Sequence, residues 1–268
     1  MQGSGNFLSS IPGQSARRPS APEDNSLDPA AFARLRLGFT PDERQLEVLA
    51  STAKRGILNC SRQWGKSTVT AAKAVHRAFT RPGALVLVAS PSERQSAEFL
   101  RKATGLVRRL GIPPRGDGKN SVSLGFPNES RIVGLPGTEE TIRGFSAASL
   151  ILIDEAARVH DDLYTALRPM LAVANGDLWL MSTPCGKRGF FYDAWRDDSE
   201  AWEKFQVPAT ECARISPEFL DGERAAMDSA RFSQEYMCEF TGTEYTLFDR
   251  ELVESAVDDS WPELNIQL

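Results

Sequence analysis

The sequence is poor in cysteine and histidine and lacks a long apolar run, and each shortage argues against a class of protein. None of the four cysteines forms a Cys-x-x-Cys pair, and only two histidines accompany them. A zinc cluster is therefore not expected, and scattered reduced thiols are typical of the cytoplasm, here that of a host cell. No stretch reaches the roughly 18 apolar residues of a membrane span, and no apolar segment resembles a secretory signal. The cysteines are Cys60, Cys185, Cys212 and Cys238.

Basic charge is also in short supply. Lysine and arginine number 31 against 36 acidic residues, which gives a net charge of −5 and a pI of about 5.3. Dedicated nucleic-acid-binding domains typically have a pI above about 9, so any DNA contact must come from a local basic patch or from assembly into a ring. Arg94, Arg101 and Arg108 recur every seven residues on one predicted helix face, beside Lys102 and Arg109. This stripe is the best DNA-facing candidate; the alternative is an ordinary solvated helix face.

Apolar runs that alternate with amphipathic segments indicate the fold class. Short apolar runs at 57–60, 84–89, 150–153 and 178–181 predict buried strands, and residues 42–54, 67–79 and 92–110 predict helices. A turn between 122–126 and 131–135 predicts a hairpin or two neighbouring strands. Strands alternating with helices favour an α/β fold with a mainly parallel sheet. Residues 1–28 are rich in Gly, Ser and Pro and are interpreted as a disordered N-terminal tail.

A phosphate-binding loop is predicted between the first strand and the helix after it. Gly65-Lys66-Ser67 matches the end of the pattern G-x-x-x-x-G-K-[ST], although Cys60 replaces its first glycine. Backbone N–H groups of such a loop cradle phosphates, the lysine neutralises them, and the serine hydroxyl ligates Mg²⁺. The alternative is a chance Gly-Lys-Ser at a helix start. The predicted ATP-binding residues are Ser61, Arg62, Gln63, Gly65, Lys66, Ser67 and Thr68.

Two carboxylates, Asp154 and Glu155, end the apolar run at 150–153. This is the Walker B pattern, in which Asp154 would hold Mg²⁺ together with Ser67 and Glu155 would polarise the attacking water. An acidic, solvated loop after a strand is the alternative. Its combination with the phosphate loop makes the catalytic interpretation the stronger one and predicts an ATP hydrolase.

With both motifs placed, the chain resembles the ATPase domain of the large terminase subunit of tailed bacteriophages. The family's phosphate loop often lacks its first glycine, as Cys60 does here. Further resemblances lie in Phe39-Thr40-Pro41 with Gln45, in residues 141–145 around Arg143, in residues 182–186, and in residues 234–240. The resemblance runs from about Asp28 to Phe248.

The resemblance implies roles for residues outside the two strong motifs. Gln45 would read adenine; the alternative is a solvated helix residue. Ser182 and Thr183 would couple γ-phosphate loss to movement; the alternative is a helix N-cap. Arg62 in cis or Arg143 in trans would be the arginine finger, and for each a structural role is the alternative.

The resemblance also implies an organisation and a set of partners. We expect an ASCE-type P-loop core at 29–200 with three layers, a small lid subdomain at 201–248, and at 249–268 the start of a linker toward a nuclease domain that is absent. The implied partners are double-stranded DNA, other large subunits in a ring, the portal protein and the small terminase subunit. The alternatives are a helicase-like P-loop ATPase and a truncated prophage relic that binds nucleotide without turnover.

Overall fold

The computed structural model describes residues 28–135, 142 and 144–242. Eight α-helices lie in this part of the chain, and their bounds are α1 Pro29–Leu35, α2 Glu43–Ala50, α3 Lys66–Thr80, α4 Glu93–Arg109, α5 Asp161–Leu167, α6 Gly189–Arg196, α7 Pro217–Ala226 and α8 Ser229–Tyr236. The seven strands are β1 Arg55–Cys60, β2 Leu85–Ala89, β3 Ser123–Gly125, β4 Arg131–Gly134, β5 Ala148–Asp154, β6 Asp177–Ser182 and β7 Glu203–Val207.

All seven strands form one sheet in the order β3-β4-β2-β5-β6-β1-β7. Every neighbouring pair is parallel except β3 and β4, which form the antiparallel pair predicted from the turn. The predicted α/β class with a mainly parallel sheet is therefore confirmed. None of the helices in the described part of the chain is long and apolar enough to cross a membrane.

Helices cover both faces of the sheet because successive side chains of each buried strand point to opposite sides. On β5, Leu150 and Leu152 pack in one apolar cluster and Ile151 and Ile153 in the other. The first cluster includes residues of α1 to α4, and the second includes residues of α5 and α6. The result is a three-layer core with the sheet in the middle.

Helix starts follow the local sequence closely. Asp28 caps α1, with Pro29 at its first position, and Ser92 caps α4. Asp42 caps α2 in a reciprocal arrangement: its carboxylate accepts from the Gln45 N–H, and the Gln45 side chain accepts from the Asp42 N–H. Helix α2 ends at Ala50, four residues before the predicted end.

Strand β7 has no counterpart among the predicted strands. It alternates exposed and partly buried residues, so no apolar run marks it in the sequence. It lies within the residues expected to form the lid, yet it pairs in parallel with β1 of the main sheet. The segment that continues from β7 is thereby fixed beside the phosphate loop.

The basic stripe on α4 divides into two groups. Arg94, Arg101 and Arg108 are exposed, and Arg101 forms an ion pair with Glu98 at 2.6 Å. Arg109 instead donates to the carbonyls of Leu37 and Gly38, at 2.8 and 2.7 Å, and so fastens α4 to the segment after α1.

Candidate active site

The sheet order brings three distant sequence motifs to one edge. Strands β5, β6 and β1 are neighbours, and parallel strands present their carboxyl ends at the same edge of a sheet. The phosphate loop follows β1, Asp154 and Glu155 lie at the end of β5, and Ser182 and Thr183 lie at the end of β6. The fold thus assembles every strongly predicted motif in one place.

The phosphate loop turns sharply into α3. Gly65 has φ +102°, a left-handed conformation that glycine adopts without a steric cost, and Gln63 has φ +65°. No side chain caps the N-terminus of α3. The N–H groups and positive dipole end of a helix start are suited to a phosphate ligand.

Lys66 is buried and its ammonium group is surrounded by neutral oxygens. Nζ donates to the carbonyls of Cys60 at 2.8 Å and Ser61 at 2.9 Å, and to Thr183 Oγ1 at 3.2 Å. These contacts hold the charge without neutralising it, because a carbonyl or hydroxyl carries no net charge. A buried cation in such a setting attracts an anion.

Ser67 and Asp154 place two oxygen atoms side by side. Ser67 Oγ donates to Asp154 Oδ2 at 3.0 Å. Burial, followed by the charge of Glu155, raises the pKa of Asp154, while Ser67 and Lys66 act in the opposite direction. A hydroxyl and a buried carboxylate next to a second carboxylate are a donor set that suits Mg²⁺.

Glu155 adopts a left-handed backbone conformation, with φ 55° and ψ 39°, which is uncommon for a residue with a side chain. Its N–H donates to Asp154 Oδ1 at 3.1 Å, and Arg158 Nη1 donates to its Oε2 at 3.2 Å. The tight turn keeps both carboxylates at the end of β5, and Arg158 holds the second one.

Arg62 is directed toward helix α8. Its Nε lies 2.5 Å from Glu235 Oε2, and Arg158 Nη2 lies 3.6 Å from Glu235 Oε1. The hydrogen bond to Glu235 raises the pKa of Arg62. The alternative of a structural ion pair therefore describes Arg62 in this structure, while its role as a finger stays a prediction.

Ser182 and Thr183 are buried at the end of β6. Thr183 Oγ1 accepts from Lys66 and donates to the Cys60 carbonyl at 3.2 Å, so it bridges the ends of β6 and β1. The helix-cap alternative is wrong for this pair, since the next helix begins at Gly189. Their contact with the phosphate loop is the arrangement that a coupling role requires.

Gln45 is 2 % exposed, which excludes the alternative of a solvated helix residue. Its Oε1 accepts from the Asp42 N–H at 3.1 Å and its Nε2 donates to the Trp64 carbonyl at 2.9 Å. Both amide atoms are thus engaged with backbone, and adenine recognition by Gln45 stays a prediction.

These side chains surround a cavity of about 630 Å³ at the carboxyl edge of the sheet. Two of its lining residues, Lys102 and Arg214, carry no nucleotide-binding signal in the sequence. Lys102 is one member of the basic stripe on α4, and its position in this cavity shows that the heptad spacing mixed two different surfaces. The cavity is lined by Phe39, Gln45, Arg62, Gln63, Gly65, Lys66, Ser67, Thr68, Lys102, Glu155, Thr183 and Arg214.

Arg158, Arg214 and Glu235 also belong to the site, and sequence reasoning missed the roles of all three. Each reaches the site from outside the motifs that mark nucleotide binding, so only the fold reveals it. Arg143, the predicted trans finger, lies outside the described residues.

The fold and the site together define a P-loop NTPase core. The family model for the N-terminal part of the terminase large subunit, T4likevirus-type, matches residues 57–255. The chain belongs to this family.

Curated relatives and solved structures agree with the family. The terminase large subunits of Thermus phage G20c and Thermus virus P23-45 are each 26% identical over 251 residues, covering 79% of this chain and 51% of each relative. The chain therefore spans about half the length of these relatives.

Among solved structures, the Thermus phage P74-26 large terminase ATPase domain has a TM-score of 0.69 and 24% identity, covering 80% of this chain and 100% of that one. The large terminase of a thermophilic bacteriophage in complex with ADP has a TM-score of 0.65 and 14% identity, covering 75% of this chain and 54% of that one. Both likenesses support the fold.

Proposed function

We propose that this chain hydrolyses ATP and that the hydrolysis drives translocation of double-stranded viral DNA into a capsid. The observation that carries the proposal is the position of Lys66. Its buried charge, bonded only to neutral oxygens, faces a cavity that is also lined by an uncapped helix start and by Glu155. A polyphosphate with an adjacent water is the substrate that this combination suits.

Each group has a defined task in the proposed reaction. Lys66 and the loop N–H groups bind the β- and γ-phosphates, and Ser67 and Asp154 would hold Mg²⁺, which neutralises charge on the phosphates when bound. Glu155 accepts the proton of the attacking water. Because Arg158 donates to Glu155 in this structure, the carboxylate must leave that contact, or share it with water, to act as a base.

The proposed energy transfer runs through the ends of β6 and β1. Thr183 contacts both Lys66 and the Cys60 carbonyl, so departure of the γ-phosphate changes the environment of a hydrogen bond shared by two strands. Residues 201–248 would form the lid, with β7 as its attachment to the core sheet. The chain would act in a ring of large subunits at a portal protein, with a small terminase subunit to select DNA.

Related structures support a nucleotide ligand. Those of the large terminase from the thermophilic bacteriophage include complexes with ADP and with ATP-gamma-S. The test is ATP turnover by the purified chain with and without double-stranded DNA, with Lys66→Ala as the blank. Turnover absent from the blank and raised by DNA would support the motor. Strand unwinding would favour the helicase alternative, and binding without turnover would favour the relic.

The arginine finger is tested by mixing two inactive variants, Glu155→Gln and Arg143→Ala. If Arg143 acts across a subunit interface, some mixed interfaces join an intact Glu155 to an intact Arg143 and activity returns. No recovery under conditions where subunits demonstrably associate would assign the finger to Arg62 in cis.

A further inference from the structure

The carbonyl of Trp64, inside the phosphate loop, is held by two side chains from distant parts of the chain. Gln45 Nε2 on α2 donates to it at 2.9 Å, and Arg214 Nη2, in the segment between β7 and α7, donates to it as well. The Trp64 side chain is 1 % exposed and packs in the core. One peptide group is thus fixed by its side chain on one side and by two donors on the other.

The two donors are themselves held in place. Asp42 accepts from the Gln45 N–H at 2.8 Å through Oδ1 and lies 3.4 Å from Arg214 Nη2 through Oδ2. Arg44, on the same helix, pairs with Glu211 at 3.4 Å and ties α2 to the segment that carries Arg214. Both donors therefore approach the loop from a cross-linked support.

Peptide geometry converts this clamp into an effect on the next residue. In a trans peptide the C=O and N–H groups point in opposite directions, and no described peptide bond is cis. With the Trp64 carbonyl fixed toward Gln45 and Arg214, the Gly65 N–H is fixed toward the opposite side. A Cβ at position 65 would lie 2.9 Å from Gln45 Nε2, so a side chain there would push the clamp away.

We infer that Gln45 and Arg214 are positioning residues that preset the phosphate loop by orienting the Trp64–Gly65 peptide. Their effect on binding is then exerted on the phosphates and is independent of the base. Both side chains also line the cavity, but Gln45 has already committed its oxygen and one N–H to backbone groups. The inference rests on the proposed nucleotide site and adds Arg214 to it.

The test compares three ligands that share a triphosphate and differ elsewhere: ATP, GTP and inorganic tripolyphosphate. Dissociation constants are measured by calorimetry for the parent chain, Gln45→Met and Arg214→Gln. We expect each substitution to weaken all three ligands by a common factor of about tenfold or more, the loss typical of a hydrogen bond in a preorganised site. Arg214→Lys, which keeps a charged donor, should recover part of the loss.

The matched control is Arg44→Gln, which removes an ion pair between the same two segments without touching the loop, and it should bind all three ligands as the parent does. Loss of ATP affinity in Gln45→Met with unchanged tripolyphosphate affinity would show base reading and overturn the inference, as would unchanged binding in both variants. If the parent binds no triphosphate, the proposed function itself fails. Should Gln45→Met not fold, the half-exposed Arg214 carries the test alone.

Discussion

Two cavities at opposite edges of the same sheet differ in how their charges are satisfied. The larger, about 870 Å³, lies near the starts of β2, β4 and β5, and its Asp117 and Arg131 approach each other to 3.5 Å. Asp117 also accepts from Ser123 Oγ at 2.9 Å. In the smaller, about 630 Å³, the buried Lys66 meets only neutral oxygens. Uncompensated charge, more than volume, distinguishes the candidate active site.

The direction of the helices explains this difference. Helix α3 begins at the smaller cavity, and Gly83, three residues past its end, lines the larger one. The smaller cavity therefore faces the positive end of the helix dipole and the larger one lies at the negative end. In a parallel α/β sheet every crossover repeats this orientation, so anion sites gather at the carboxyl edge.

The largest expected effect comes from removing the uncompensated charge. Lys66→Ala should abolish measurable ATP hydrolysis, because no other buried cation touches the loop carbonyls in the described part of the chain. Arg131→Ala removes a positive charge from the larger cavity and should leave turnover near the parent rate. Steady-state phosphate release measures both. Hydrolysis by Lys66→Ala at the parent rate would show that the site is misassigned.

A smaller but still large effect is expected at the proposed base. Glu155→Gln keeps the shape of the side chain and removes its basicity, so turnover should fall about 10²–10⁴-fold while ATP still binds. Glu129→Gln, the same exchange in the larger cavity, should change neither property. Single-turnover hydrolysis and equilibrium binding separate the two quantities. An equal loss of ATP affinity would identify Glu155 as structural.

Lys73 tests whether a buried lysine on α3 suffices for function. Burial, followed by the charge of Arg77, lowers the pKa of Lys73 from 10.5 to about 8. Between pH 8 and 10.5 the unfolded chain binds more protons than the folded one, so this group makes stability rise with pH. Lys73→Met should remove about 1–3 kcal/mol of that rise, measured by urea unfolding at about pH 7 and pH 10, and should leave catalysis intact. Identical pH slopes for parent and variant would contradict the prediction.

The smallest functional effect is expected at Asp117. Burial alone would raise its pKa, but hydrogen bonds led by the Asn120 and Lys119 N–H groups outweigh it and hold the pKa at about 2. Its stabilising contribution is present above about pH 4 and is lost as pH falls through the folded pKa. Asp117→Asn should cost about 1 kcal/mol at pH 7 without altering turnover. Lost ATPase activity in a folded variant would show that the larger cavity has a catalytic role.

The fold was largely predictable because its strands are buried on both faces and read as apolar runs. Strand β7 was not, since it is a half-exposed edge strand with no such run. Lys66, Ser67, Asp154 and Glu155 were predictable as a group because chemistry fixes their spacing from a strand end.

Residues that act by reaching the loop from elsewhere left no sequence signal. Arg214 lies 150 positions from its acceptor Trp64, and nothing near it in sequence indicates that contact. Lys102 was placed on the wrong surface, because a seven-residue spacing defines a helix face without saying how far each side chain bends around it.

The insertion of β6 between β5 and β1 has a consequence for how the protein folds. Asn59 of β1 lies opposite Ser182 of β6, so two site-forming segments meet across more than a hundred intervening residues. Contacts of such long sequence separation close slowly, after the entropy of the intervening loop has been lost. A nascent chain that has not yet delivered β6 lacks Thr183 and the hydrogen bond it makes to Lys66. Nucleotide capture is therefore a late event, and binding reports that the central sheet has been completed.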